Sequence, residues 1–232
     1  MTLLSAGASD PSCYSSVVNH WVCSSYFSDQ SDTLRSATTQ HLTITVLAVG
    51  LGLVLATPLA VLARQFQRLD GLVVGVSTGL YTIPSLALFP LLVPFTGITT
   101  TTVVIGLALY SLTILVRNTL AGLRGVPDDV RESARGNGYG PMRLLFQIEL
   151  PLAFPVVMAG LRVATVSTVA LTTVGTLVSS GGLGNLLADG VRKNFKAEIF
   201  AASVLCVALA GVLDVLLVLV ERALTPWARA GR

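Results

Sequence analysis

Residues 131–151, RESARGNGYGPMRLLFQIELP, are a charged island between long apolar segments. Pro127 suits the first turn of a helix, and Asp128 and Asp129 are acids favoured near its positive N-terminal end. Val130 and Ala134 fall one turn apart and can share an inward face. Gly136, Gly138 and Gly140 then interrupt the helix, since glycine accepts the left-handed backbone that ends one. Pro141 restarts a second helix with Met142, Leu145 and Phe146 along one stripe, and Pro151 is expected to close it. The pattern predicts a short helix, a glycine elbow and a second short helix held at a membrane surface. An ordinary amphipathic loop resting on lipid headgroups is the competing reading. GNGYG is no dinucleotide fingerprint, because its third glycine is misplaced and no strand precedes it.

The segments around the island are long and apolar. The chain is 53% hydrophobic and only 12% charged, with mean hydropathy +0.76, against about 25% charged for a soluble domain. This is the composition of a polytopic membrane protein, and 232 residues leave room for about five spans of about 20 residues plus loops. The net charge of +3 comes from loop arginines and gives no sign of nucleic-acid binding.

Spans are expected near 42–63, 71–94, 99–120, 154–178 and 199–221. The second carries Gly71, Gly75 and Gly79, whose four-residue spacing lets helices approach closely. It also carries Pro84, which must kink or interrupt the helix. Its depth near mid-membrane makes Tyr81, Thr82, Pro84, Ser85 and Phe89 candidates for a flexible, path-lining segment with Tyr81, Ser85 and Phe89 on one face; a plain kink is the alternative. Arg117 is expected to snorkel to the cytoplasmic interface, contact with substrate being the alternative. Arg162 and Asp214 lie inside the fourth and fifth spans, where an ionisable group is costly and so a functional candidate; mutual pairing, or Arg162 reaching headgroups, is the structural alternative.

Residues 1–40 are serine-rich and lack both an apolar core and a cleavable signal pattern. Cys13 and Cys23 can pair if this tail is outside the cell, two free thiols being the alternative. Trp21, Tyr26 and Phe27 fit either a membrane interface or the packing of a short external helix, and Cys206 reads as inert packing.

The island's spacing resembles the E-A-A-x3-G-x9-I-x-L-P signature of permease subunits of bacterial ABC importers. Glu132, Ser133, Ala134, Gly138, Ile148, Leu150 and Pro151 occupy the fixed positions, with Ser133 the one departure. The resemblance implies an all-α membrane protein of five transmembrane helices, of the MetI-like permease type, whose cytoplasmic loop 124–151 couples to an ATP-hydrolysing subunit. IPSLAL at 83–88, RNT at 117–119 and GGLG at 181–184 resemble the osmoprotectant (glycine betaine, carnitine, choline) branch.

A cytoplasmic island and five spans put the N-terminus outside and the C-terminus inside a bacterial cytoplasmic membrane. Residues 1–40 are then an external tail, 41–226 the permease domain and 227–232 a cytoplasmic tail. Arg64, Arg68, Arg124, Arg131, Arg135, Arg143, Arg222, Arg229 and Arg232 fall inside, as the positive-inside rule asks. Arg192, Lys193 and Lys196 dissent, since they fall in an external loop whose glycines suit a re-entrant or tight turn.

The resemblance implies partners: an ATPase dimer, a second permease (identical or paralogous) and an external substrate-binding protein, all at a lipid bilayer and without nucleic acid. No Walker A pattern, metal cluster or nucleophile triad is present, so no cofactor is expected in this chain; ATP and magnesium belong to the partner ATPase. The leading reading is therefore a transport subunit for an osmoprotectant and not an enzyme. Alternatives are import of another small solute such as an amino acid, an ion-coupled secondary carrier using Arg162 and Asp214, or a membrane anchor. The absence of an internal repeat argues against the carrier.

Overall fold

The structure, a computed structural model, describes residues 12–15, 18–178 and 180–229. Its helices are α1 (Ser24–Asp29), α2 (Ser31–Gln65), α3 (Gln67–Thr82), α4 (Ser85–Thr96), α5 (Thr100–Arg124), α6 (Asp128–Gly136), α7 (Pro141–Leu144), α8 (Leu150–Thr172), α9 (Leu183–Lys193) and α10 (Lys196–Leu224). A π turn (Leu145–Glu149) joins α7 to α8, and 3-10 turns follow α8 and α10 at Thr173–Val178 and Pro226–Arg229. No strand occurs among the described residues.

Helix α5 is the axis of the bundle. Val103, Leu107, Leu115, Val116 and Leu123 along it are fully buried, and α2 and α8 pack on either side. Small residues let the neighbours come close. A Cβ on Gly52 of α2 would meet Ser111 Oγ at 2.1 Å, and one on Gly160 of α8 would meet Asn118 Cβ at 2.3 Å. One apolar cluster joins Ile44 and Ala48 to Phe89, Val103 and Leu107 at one end. Another joins Leu123, Leu145 and Ala153 at the end where the 131–151 loop lies.

Among the described residues four helices are long and apolar enough to cross a membrane, and the pair α3–α4 makes a fifth crossing if its two halves are one span. The second span is thus not a kinked rod: the helices meet at a bend of 100°. Consequently Tyr81, Ser85 and Phe89 do not share one face, as unbroken helical spacing led us to expect. Phe89 is fully buried, its ring filling the space beside Gly106.

Two further expectations change. Pro151 does not close a helix; it sits in the first turn of α8, and the helical run from Pro141 to Val178 is continuous. Proline removes one backbone donor and crowds the carbonyl four residues back, and the wider π turn over Leu145–Glu149 absorbs both effects just before it. The 1–40 segment is also no plain tail, because α1 is helical and α2 begins at Ser31. Residues 1–11 and 230–232 of the expected tails lie outside the described residues.

Candidate functional site

The 131–151 loop is built as a helix, an elbow and a second helix. Helix α6 ends in a pair of backbone bonds, Tyr139 N–H to the Ala134 carbonyl at 3.1 Å and Gly138 N–H to the Arg135 carbonyl at 2.9 Å. This is the Schellman arrangement, which needs a left-handed residue just past the helix. Gly138 supplies it at φ +83°, so of the three glycines it alone turns the chain left-handed. Glu132, Ser133 and Gly138 are exposed, Ala134 is buried, and Ile148, Leu150 and Pro151 are half-buried. Met142 and Phe146 also stand out at about 60% exposure, giving a surface of mixed apolar and charged groups. Beside it a cleft of about 520 Å³ is lined by Arg64, Arg135, Tyr139, Met142 and Glu149.

What holds this loop was not read from the sequence. Arg131 is 5% exposed and Glu149 9%. The Arg131 guanidinium donates Nε to Glu149 Oε1 at 2.7 Å, Nη1 to Asp128 Oδ1 at 2.6 Å and Nη2 to the Leu123 carbonyl at 2.6 Å. One planar fork thus ties α6 to the end of α5 and to the π turn, and Arg64 adds a longer contact to Glu149 at 3.9 Å. The only sequence signal was an acid, Glu149, standing inside an apolar run.

The break in the second span is also partnered. The Tyr110 hydroxyl donates to the Ile83 carbonyl, which lacks an in-helix donor at the break because the Ala87 N–H bonds the Pro84 carbonyl instead. Thr82 Oγ1 donates to the Gly79 carbonyl at 2.7 Å. Tyr81 is 48% exposed and stacks edge-to-face on Tyr110 at 5.7 Å. On the same helix Gly71, Gly75 and Gly79 have open space around them, so the glycine stripe packs on nothing among the described residues. Arg117 does not reach along its helix toward the membrane edge. Its Nη2 donates sideways to Thr78 Oγ1 at 2.8 Å.

Arg162 and Asp214 pair with each other through two parallel bonds, Nε to Oδ1 at 2.8 Å and Nη2 to Oδ2 at 3.0 Å, and staple α8 to α10. Each side chain is about one-third exposed.

At the opposite end, Cys13 and Cys23 form a disulfide. It closes a segment that packs on the α9–α10 turn. Asn19 donates Nδ2 to the Asn194 carbonyl at 2.7 Å and accepts the Lys196 N–H at 2.9 Å. Tyr26 is buried against Phe195 at 5.4 Å, while Trp21 stays half exposed; burial pushes the Tyr26 phenol up to about 12. Two of the three dissenting cations share a local partner: Asp189 accepts from Arg192 at 3.2 Å and Lys193 at 2.5 Å. The bond from Lys193 holds the Asp189 carboxyl below its usual range. The 181–184 glycines make a tight packed turn, with Gly182 at φ +56° pressed against His41. His41 is fully buried, its Nε2 3.0 Å from the Val169 carbonyl.

These features meet known proteins at several points. The chain is 37% identical over 206 residues to the osmoprotectant import permease OsmW of Salmonella typhimurium, covering 87% of this chain and 96% of that one. It is 35% identical over 189 residues to the choline transport system permease OpuBB of Bacillus subtilis, covering 82% and 87%. It is 34% identical over 201 residues to the carnitine transport permease OpuCB of Listeria monocytogenes, covering 87% and 92%. Among solved structures, an inward-facing form of the MetNI methionine ABC transporter superposes with a TM-score of 0.75 at 21% identity, covering 85% of this chain and 98% of that one; at that identity the likeness is one of fold. The model of the binding-protein-dependent transport system inner membrane component family matches residues 48–230, and the chain belongs to that family.

Proposed function

We propose that this chain is the permease subunit of an ATP-driven importer that moves a quaternary ammonium osmoprotectant, such as glycine betaine, carnitine or choline, across a bacterial cytoplasmic membrane. The observation that carries the substrate class is similarity, over more than four-fifths of the chain, to permeases named for choline, carnitine and osmoprotectants. The 131–151 loop supports the coupling role. Its elbow is fixed by Gly138 and its base by the Arg131–Glu149 pair, while Glu132, Ser133, Met142 and Phe146 face outward, free to seat on another subunit.

In this reading the loop faces the cytoplasm and docks on an ATPase dimer, which alone binds ATP and magnesium. The disulfide-closed end is external, where a separate binding protein delivers substrate. A second permease completes the path, and the open glycine stripe of α3 and the break at Pro84 lie on the face turned toward it. High affinity then belongs to the binding protein, and the path itself needs only weak, releasing contacts. Arg162 and Asp214, already paired with each other, act as a helix staple.

The test is ATP hydrolysis by the reconstituted complex with its binding protein, across glycine betaine, carnitine, choline, proline and methionine. Stimulation confined to the quaternary ammonium compounds is the expected result. Stimulation by proline or methionine alone would overturn the substrate assignment.

A further inference from the structure

The α3–α5 face carries a cation with no counter-ion. Arg117 is exposed, and its only partner among the described residues is the neutral hydroxyl of Thr78 at 2.8 Å. Its depth follows from the ion pair below it, Arg124 Nη2 to Asp70 Oδ2 at 2.7 Å, which marks the end of both helices. Arg117 stands seven residues before Arg124 and Thr78 eight residues past Asp70. At 1.5 Å per residue the exposed guanidinium is therefore held about 10–12 Å along the helices from that end. A bare cation at that depth is costly in hydrocarbon and persists where it faces water or protein.

The surroundings fit a wet path. Gly75 and Gly79 next to Thr78 open onto free space. Farther along the same seam are half-exposed Tyr81, stacked on Tyr110, and then the helix break. The seam thus offers an aromatic ring for a quaternary ammonium and, about one turn away toward the Arg124–Asp70 end, a fixed guanidinium whose remaining N–H groups match a carboxylate.

We propose that Arg117, held sideways by Thr78, is a binding residue for the carboxylate of a zwitterionic substrate in the inner half of the translocation path, and that Tyr81 precedes it as the station for the ammonium head. The proposal rests on the importer reading above and adds a site to it. Choline and the betaines carry the same trimethylammonium head, so Arg117 distinguishes them by the carboxylate alone.

The test uses the assembled complex with its ATPase, nucleotide-free, carrying Gly75→Cys in a Cys206→Ala background, with Gly79→Cys as a second reporter one turn away. Both positions have room for a side chain. A charged, water-soluble thiosulfonate should modify the cysteine. Glycine betaine should slow modification several-fold, whereas tetramethylammonium at the same concentration should slow it much less. In the Arg117→Gln variant the two protectants should become equal.

Reporters that water-soluble reagents never reach would overturn the proposal, since the face would then be sealed from water by lipid or by tight packing on the second permease instead of lining a wet path. Equal protection with Arg117 intact would overturn it too, as would a preference for glycine betaine that survives Arg117→Gln. The importer reading fails separately, if no binding protein stimulates ATP hydrolysis by the unmodified complex.

Discussion

At the scale of single residues, the 131–151 loop is held by a buried charge pair. Glu149 lies between an apolar cluster and the Arg131 guanidinium, so Glu149→Gln removes the buried counter-charge and leaves Arg131 only the exposed Asp128 carboxylate. Breaking a buried pair outright costs about 3–5 kcal/mol, which is the upper bound here. The expected outcome is a permease that inserts in the membrane but no longer retains its ATPase through purification. Retention at the unmodified level would show that Asp128 and the Leu123 carbonyl suffice to hold α6. Gly138 is a cleaner case, because its surroundings are empty and only its backbone is at stake. Gly138→Val should cost roughly 1–2 kcal/mol and Gly138→Asn distinctly less, since asparagine visits the left-handed region more readily. ATPase retention should rank glycine, asparagine, valine; an equal yield for all three would detach the elbow from coupling. The glycine was legible because left-handed geometry is a local property with few residues to serve it. The pair was not, because Arg131 and Glu149 are eighteen positions apart and only the folded loop brings them to 2.7 Å.

At the scale of elements, the broken second span shows what a proline can and cannot announce. Pro84 removes a donor, so an interruption there was legible. The 100° bend was not, because its size is set by where α4 finds a partner. Phe89 fills the space left by Gly106 on α5, and that contact swings α4 away from the axis of α3. The same limit explains Pro151, where a proline read as a stop lies in the first turn of a continuing helix because a π turn accommodates it. Tyr110 holds the break in place through the Ile83 carbonyl. Tyr110→Phe keeps the ring and its stacking on Tyr81 and deletes only that bond, at about 1–3 kcal/mol for a carbonyl left unmatched. The purified complex should unfold at a lower temperature and transport more slowly. An unchanged Tm together with an unchanged rate would mean that water serves the carbonyl equally well.

At the scale of the whole molecule, the two ends of the bundle are chemically opposite, and that asymmetry is what supports the proposed orientation, disulfide end outside. One end carries Arg64, Arg68, Arg124, Arg131, Arg135 and Arg143 around the family loop. The other carries a disulfide and a cap of Tyr14, Tyr26 and Phe195 packed on the α9–α10 turn. Disulfides persist in oxidising compartments, and short loops rich in arginine stay in the cytoplasm; both rules give the same orientation. Arg192 and Lys193 are tolerated at the disulfide end while sharing the Asp189 carboxylate. The prediction is that a membrane-impermeant thiol reagent labels Cys13 or Cys23 in intact cells only after mild external reduction, and that a Cys13→Ser, Cys23→Ser variant loses this labelling. Cys206, within the apolar length of α10, should stay unlabelled in both proteins. Labelling of the disulfide cysteines that appears only once the membrane is opened would invert the topology and put the family loop on the wrong side of the membrane for an ATPase.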